Sequence, residues 1–258
     1  MFALFPSRTV ALTLFGWDVR WYGILYVAAF LLAFVLLPRL QKWRGLTLSS
    51  DEWSGVLSAG IIGVLLGGRL GYVLLYDPIF FWQHPLEVFA VWHGGMSSHG
   101  GFLGVAIALL LVARRKGIPL LHLVDLCIVP AAIGLALGRL GNFINQELYG
   151  TVTTLPWGME FPGAQGLRHP VQLYAIAKDL LLALVCFLHL RRSVQRPGST
   201  TALFLMLYSI LRFLLEELRE QDIPLVSVSG FLFTRAQFFT VPLFLAGVLL
   251  WWWSRRRV

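Results

Sequence analysis

The sequence predicts an all-α, polytopic integral membrane protein with about seven membrane-spanning helices. Hydrophobic residues make up 57% of the chain and charged residues only 13%, against roughly 25% charged in ordinary globular domains. The mean hydropathy is +0.73. A spanning helix needs about 20 predominantly apolar residues, and seven stretches of the chain approach that length. Basic residues recur between these stretches in a regular order, as a bilayer topology requires.

The order of apolar and basic segments predicts the orientation of the chain. The predicted spans cover 22–38, 55–76, 99–113, 121–143, 171–190, 201–218 and 236–253. A basic triplet follows the first, third, fifth and seventh spans: Arg39, Lys42 and Arg44; Arg114, Arg115 and Lys116; Arg191, Arg192 and Arg196; Arg255, Arg256 and Arg257. Because Lys and Arg are concentrated in cytoplasmic loops, we expect the N-terminus outside and the C-terminus in the cytoplasm.

The net charge, the cysteines and the absence of a linker limit the functions and the domain organisation that the sequence supports. The triplets explain most of the net charge of +8, so the sequence does not favour nucleic-acid binding. Cys127 and Cys186 both lie inside apolar runs, which argues against a disulfide framework or a cysteine metal site. No Ser/Gly-rich linker divides the chain, so 1–258 is predicted to be one transmembrane catalytic domain. Its polar outer-face segments lie at 1–21, 77–98, 144–170 and 219–235.

Three arginines lie inside predicted spans that run outward: Arg69, Arg139 and Arg212. Charges within spans are costly, usually face the bundle interior and mark substrate paths. Glu216 follows Arg212 by one helical turn, and Glu147 lies near Arg139 in the sequence. One interpretation is that such pairs are internal salt bridges that hold helices together. The other is that the arginines bind an anionic ligand.

The segment GLALGRLGNFINQELYG (134–150) favours the ligand interpretation for Arg139. Gly138 and Gly141 leave space beside the guanidinium, and Asn142 and Asn145 add uncharged donors. Arginine can hold two phosphate oxygens at once. A phospholipid headgroup would lie at the outer end of this predicted span. The segment therefore predicts a site for a lipid phosphate that is entered from the outer leaflet.

A second polar segment, WHGGMSSHGGFLGV (92–105), carries His93 and His99 just before the third span. A histidine here could act as a general base near neutral pH. The alternatives are zinc binding and plain hydrogen bonding at the membrane interface. The segment has no clustered Cys, Asp or Glu, so no metal site is predicted.

These motifs resemble those of the prolipoprotein diacylglyceryl transferase family. GRLGNFINQELYG is similar to the family signature, through Gly138, Arg139, Asn142, Phe143, Asn145, Glu147 and Gly150. HGGMSSHGG is similar to a further family element, with His99 as its histidine. WYG (21–23), GRLGYVLLY (68–76), RHPVQLY (168–174) and YSILRFLLEELRE (208–220) match other elements in family order.

The resemblance implies that the protein catalyses the first step of bacterial lipoprotein maturation. Such enzymes transfer the diacylglyceryl group of phosphatidylglycerol to the lipobox cysteine of a prolipoprotein signal peptide, and glycerol phosphate leaves. By resemblance, Arg139 and Arg212 act on the lipid phosphate, and His99 is a candidate base. The expected substrate-binding residues are Tyr22, Arg69, Asn142, Asn145, Glu147, Gly150, Tyr208 and Glu216. Trp21 and Tyr22 are also explained simply as interfacial belt residues.

The implied setting is the bacterial cytoplasmic (inner) membrane, with the active site toward the outer leaflet. The expected partners are phosphatidylglycerol, lipobox-containing prolipoproteins and membrane lipids, with no nucleic acid, no metal and no cofactor. Ser98, Val171 and Ala175 depart from the family pattern, and the loop 151–170 is short. A divergent paralogue with another acceptor, an anionic-solute transporter and a non-catalytic lipid-binding scaffold therefore remain alternatives. Polar groups gather only at the outer half, whereas a transporter needs a path to both sides.

Overall fold

The computed structural model describes residues 9–90, 94–220, 226–228 and 231–256. Within these ranges the helices are α1 (Trp21–Leu40), α2 (Ser50–Leu75), α3 (Pro78–Gln83), α4 (Ser98–Lys116), α5 (Leu120–Asn145), α6 (Val171–Arg192), α7 (Ser199–Glu216) and α8 (Arg235–Arg255). The strands are β1 (Val10–Leu14), β2 (Trp17–Arg20), β3 (Val226–Val228) and β4 (Phe231–Phe233). Short 3-10 turns cover Gln41–Arg44 and Pro85–Phe89.

The predicted all-α, polytopic membrane class is confirmed. Among the described residues, six helices are long and apolar enough to cross a bilayer: Trp21–Arg44, Ser50–Leu75, Leu120–Asn145, Val171–Arg192, Ser199–Glu216 and Ala236–Arg255. The predicted third span, 99–113, falls within α4, which is 19 residues long and is not one of the six. The count of seven spans and the orientation of the termini stay predictions.

The helix α2 begins before its apolar run, at a capping box. The second span was predicted from residue 55, but α2 begins at Ser50. The Ser49 hydroxyl accepts a 3.3 Å bond from the Glu52 backbone N–H, and the Glu52 carboxylate accepts a 2.9 Å bond from the Ser49 N–H. This capping box satisfies two donors that the first turn leaves open. The boundary is therefore set by polar residues outside the apolar run.

The chain divides into two compact units, residues 1–36 with 125–258, and residues 37–124. In the second unit, α2 and α4 approach each other through glycines. A Cβ atom on Gly67 would lie 2.3 Å from the Gly100 carbonyl oxygen, and one on Gly104 would lie 2.0 Å from that of Gly63. Small residues at this spacing let helix backbones pack closely in membranes. The single-domain organisation stays a prediction.

In the first unit, Asp125 on α5 fixes the start of α7. Its carboxylate is fully buried and accepts bonds of 2.7 Å from the Gly198 N–H and 2.8 Å from the Thr201 N–H. Arg139 follows Asp125 by fourteen residues, and Arg212 follows Gly198 by fourteen residues. At 1.5 Å per residue, both arginines lie about 21 Å beyond this anchor. The anchor thus aligns the two arginines at one level of the first unit.

Among the described residues outside the helices, the strands form two short hairpins. In the first, Leu14 pairs with Trp17 across the two-residue turn Phe15–Gly16. Both turn residues have positive φ, 51° and 84°, which is typical of the turn that matches strand twist. The second hairpin joins β3 and β4. The hydropathy pattern predicts no strand in 1–21 or 219–235, because hairpins this short leave little periodic pattern.

Candidate active site

A cavity in the first unit is formed by the C-terminal half of α5, the first turns of α6 and the C-terminal half of α7. Its lining combines charged and apolar side chains: Leu135, Arg139, Leu148, Val171, Gln172, Ala175, Lys178, Asp179, Tyr208, Arg212, Leu215 and Arg219. Both predicted phosphate-binding arginines thus face one cavity. Tyr208, predicted to bind substrate, lies one helical turn before Arg212 and lines the same space.

The two arginines differ in their partners. Arg212 forms an ion pair of 2.8 Å with Glu216, as the i,i+4 spacing predicted, and Glu216 is 3% exposed. Arg139 donates a bond of 3.4 Å to the Asn142 side-chain oxygen, and within the described residues it forms no ion pair. Glu147, expected near Arg139, is linked to it through Asn142. Arg139 therefore brings positive charge to the cavity without a carboxylate partner among the described residues.

The carboxylate of Glu147 is the centre of a polar network at the end of α5. Its Oε1 atom accepts hydrogen bonds from the Tyr22 hydroxyl at 2.7 Å, Asn142 Nδ2 at 2.9 Å and Asn145 Nδ2 at 3.5 Å. Asn142 Nδ2 also lies within hydrogen-bond reach of the Tyr22 oxygen. Four predicted site residues are thus brought together, and they join the start of α1 to the end of α5. Charge-assisted hydrogen bonds of this kind are about twice as strong as neutral ones.

The backbone around Glu147 has an unusual conformation. Gln146 and Leu148 both have φ of 57°, a left-handed value that is uncommon for residues other than glycine. Gln172 Nε2 donates a 2.7 Å bond to the Glu147 carbonyl oxygen and so holds this turn. Residues kept in such sparsely populated conformations cluster at functional sites. The turn directs the Glu147 side chain back toward Tyr22 and Asn142.

Gly150 completes the signature segment for a steric reason. A Cβ atom here would lie 2.5 Å from the Leu218 carbonyl oxygen and 2.7 Å from His169 Cβ. The Gly150 N–H donates to the His169 carbonyl at 2.9 Å, and the residue bridges to Arg219. The predicted role in substrate binding stays a prediction. Its observed role is to let the loop after α5 pass between the start of α6 and the end of α7.

Sequence reasoning missed the four other polar residues that line the cavity: Gln172, Lys178, Asp179 and Arg219. Lys178 and Asp179 form an ion pair with each other, and both side chains are buried. Arg219 Nη1 lies 3.8 Å from Glu216. The signal for Lys178 and Asp179 was present, because two adjacent charges interrupt the predicted span 171–190.

The remaining predicted residues belong to the second unit. The Arg69 guanidinium donates to the backbone carbonyls of Val88 at 2.9 Å, Gly95 at 3.0 Å and Ala90 at 3.2 Å. It also lies 5.2 Å from the Phe81 ring centroid. These contacts give Arg69 a structural role in folding the segment after α3, and its substrate-binding role stays a prediction.

The structure describes the backbone of His99 but not His93. His99 is in the first turn of α4, but its side chain is not described. His93 lies outside the described residues. In the part of the chain that the structure describes, no group of three or more His, Cys, Asp or Glu could hold a metal ion. The expectation of no metal and no cofactor stays a prediction.

Comparison with known proteins identifies the family to which the chain belongs. A family model described as prolipoprotein diacylglyceryl transferase matches residues 9–253. The chain is 46% identical over 236 residues to the phosphatidylglycerol–prolipoprotein diacylglyceryl transferase of Geobacter sulfurreducens, covering 90% of each chain. It is 41% identical over 251 residues to the protein of that name from Nitrosomonas europaea, covering 96% of this chain and 90% of the relative. The predicted resemblance is confirmed, and the chain belongs to the prolipoprotein diacylglyceryl transferase family.

Proposed function

We propose that this protein is a membrane transferase that moves the diacylglyceryl group of phosphatidylglycerol to the lipobox cysteine thiol of a prolipoprotein. The names of its relatives specify phosphatidylglycerol and prolipoprotein as the substrates of those proteins. The lipobox cysteine as acceptor follows from the resemblance in the sequence. The observation that carries the proposal for this chain is the charge of the cavity, where Arg139 faces the same space as Arg212 without a carboxylate of its own among the described residues.

The reaction requires positive charge near the lipid phosphate. The thiol sulfur forms a bond to the glyceryl carbon while the bond from that carbon to the phosphate oxygen breaks. The electron pair of the broken bond stays on the phosphate, which leaves as glycerol phosphate. Preorganised donors aimed at the developing charge stabilise such a transition state. Arg139 and Arg212 supply guanidinium groups, whose planar fork matches two phosphate oxygens.

The Glu147 network has a positioning role in this proposal. Asn142 accepts a bond from Arg139 and donates to Glu147, which is held by Tyr22. The carboxylate orients the amide so that its oxygen faces the guanidinium. This arrangement supports a fixed orientation of the Arg139 side chain, in the way that supporting hydrogen bonds preorganise other sites.

The nucleophile comes from the substrate and not from the enzyme. Cys186 is buried in α6, and neither it nor Cys127 is needed by the proposed chemistry. We assign deprotonation of the substrate thiol to His99, on the resemblance alone. The proton then passes to solvent when the histidine is regenerated.

The proposed location is the bacterial cytoplasmic membrane, with the cavity opening toward the outer leaflet. A phospholipid keeps its acyl chains in the hydrocarbon layer and its phosphate at the interface. The pattern of basic triplets supports an orientation in which the C-terminal ends of α5 and α7 lie at that interface. A lipid could thus present its phosphate to the arginines without leaving the bilayer.

Transfer is tested with purified protein, phosphatidylglycerol labelled in its acyl chains and a synthetic lipobox peptide. We expect the peptide to gain the mass of one diacylglyceryl group and to release one glycerol phosphate. A peptide with serine in place of cysteine is the matched control and should stay unmodified. Transfer to another thiol but not to the lipobox peptide would indicate a divergent acceptor. Passage of an anionic solute into vesicles without any transfer would instead support the transporter alternative.

A further inference from the structure

Lys178 and Asp179 are adjacent on α6 and are 8% and 2% exposed. Their side chains form an ion pair with each other. Because both residues are on the same helix, this pair does not connect α6 to any other element. It therefore differs from the salt bridges that fix one helix against another.

Stability does not explain the pair. Removing two charges from water is costly, and replacing a buried ion pair with apolar residues is often neutral or stabilising. The surrounding residues of α6, from Leu180 to Leu182, are leucines. An apolar pair at 178 and 179 would match this helix at least as well. Charged groups in a span more often mark the path of a substrate.

The ammonium group of Lys178 lies close to the residues that the proposed function assigns to phosphate binding. Lys178 Nζ lies 4.4 Å from the centroid of the Tyr208 ring. Lys178 lines the same cavity as Arg139 and Arg212. The positive charge is thus held inside the first unit, beside the two arginines that the proposed function assigns to the lipid phosphate.

We propose that Lys178 is a third phosphate-binding residue, which stabilises the charge that develops as the leaving group departs; this inference rests on the proposed function. A phosphodiester carries one negative charge, whereas a phosphomonoester approaches two. The second charge arises as the glyceryl carbon–oxygen bond breaks and the carbon–sulfur bond forms, and the thiol proton passes to solvent. An ammonium group has three donors, so Lys178 can bind phosphate and still contact Asp179.

The balance of charges is consistent with this role. Glu216 lies between Arg212 and Arg219, at 2.8 and 3.8 Å, and Asp179 is paired with Lys178. Arg139 has no carboxylate partner among the described residues, so its charge can match the single charge of the bound diester. As the second charge develops, it competes with Asp179 for the Lys178 ammonium. Asp179 thus holds the cation in place and moderates its affinity for the phosphomonoester product.

The decisive variant is the double change Lys178→Met with Asp179→Asn, which removes both charges and leaves no buried ion unpaired. We expect its melting temperature in detergent to stay near that of the wild type, while kcat falls about 10²-fold. Inhibition by added glycerol 1-phosphate should weaken about tenfold. Lys178→Arg should retain most of the rate because the cation is kept. Asp179→Asn alone should strengthen glycerol 1-phosphate inhibition, which a purely structural pair would not do.

The outcomes separate the two proposals. Lys116→Met removes an exposed lysine of the second unit, where Lys116 pairs with Glu52 at 3.1 Å, and should keep the wild-type rate. If the double variant transfers at the wild-type rate, the role of Lys178 is overturned and the proposed function stands. If the double variant does not fold, unchanged inhibition in Asp179→Asn overturns the role instead. Absence of transfer by the wild type itself would overturn the proposed function, and the role of Lys178 with it.

Discussion

The hydroxyl of Tyr22, in the first turn of α1, donates a 2.7 Å hydrogen bond to Oε1 of Glu147, which lies beyond the end of α5. The two residues are 125 positions apart in the chain. This bond joins the start of the first long helix to the signature segment. It also gives Tyr22 a role beyond that of an interfacial belt residue.

We expect Tyr22→Phe to lower the free energy of unfolding by about 2 kcal/mol, because a hydrogen bond to a charged group contributes roughly 1.5–3 kcal/mol. The transfer rate should also fall, since Glu147 loses one of the donors that orient it. Tyr26→Phe is the matched control. Tyr26 is exposed and its ring stacks on that of Tyr22, so removing its hydroxyl should change neither quantity. Equal effects in the two variants would contradict the role of the bond.

Replacing each of two glycines in the signature segment with alanine should change the melting temperature in opposite directions. A Cβ atom on Gly141 would lie 2.9 Å from the ring of Tyr22, whereas one on Gly138 would meet nothing within 4 Å. We expect Gly141→Ala to lower the melting temperature by displacing the tyrosine. Gly138→Ala should keep or raise it, because alanine stabilises a helix interior by about 1 kcal/mol over glycine. Thermal unfolding in detergent measures the melting temperatures of both variants. An unchanged melting temperature for Gly141→Ala would contradict the observed packing.

We expect Arg139→Lys and Arg212→Lys each to lose most activity although the charge is kept. Lysine is a point charge, whereas arginine offers a planar fork for two phosphate oxygens. Losing one preorganised contact costs roughly 10²–10³ in rate, or about 3–4 kcal/mol. The measurement pairs the transfer rate to a lipobox peptide with the melting temperature of each variant. Wild-type rates with lowered melting temperatures would instead give these arginines a structural role only.

His99→Ala should impair transfer far more than His93→Ala. Only His99 falls on the family element, while His93 has a simple alternative role at the membrane interface. Single-turnover rates of purified, folded variants test this difference. Full activity of His99→Ala would exclude an obligatory base at this position, and equal losses would remove the distinction between the histidines.

Reporter fusions at positions 41, 96, 116, 165, 195 and 225 should report alternately inside and outside, beginning inside. This expectation follows from the four basic triplets and places residue 1 outside and residue 258 in the cytoplasm. The fusions at 41, 116 and 195 serve as internal controls, since each lies in or next to a triplet. A cytoplasmic signal at 96 or 165 would move the candidate site to the wrong leaflet.

Local spacing made much of the site predictable. Arg139 and Asn142 are three residues apart on one helix, and Arg212 and Glu216 are four apart, so each pair meets whatever the rest of the chain does. Apolar run length and the positions of Lys and Arg in turn predict the membrane class, because transfer into lipid depends on composition. The family signature is likewise a continuous segment of chain.

Only the tertiary structure decided which distant residues join these pairs. The Tyr22–Glu147 bond depends on how α1 meets the loop after α5, and no short-range pattern encodes it. Lys178 enters the cavity because α6 turns that face toward Tyr208, whereas Arg69 is engaged by backbone carbonyls within its own unit. By itself the sequence determined the membrane class, the family and the local pairs, because each is a property of a continuous segment. The contacts of these local pairs with distant side chains, such as Glu147 with Tyr22 and Lys178 with the Tyr208 ring, were decided by helix packing, which joins residues that are far apart in the chain.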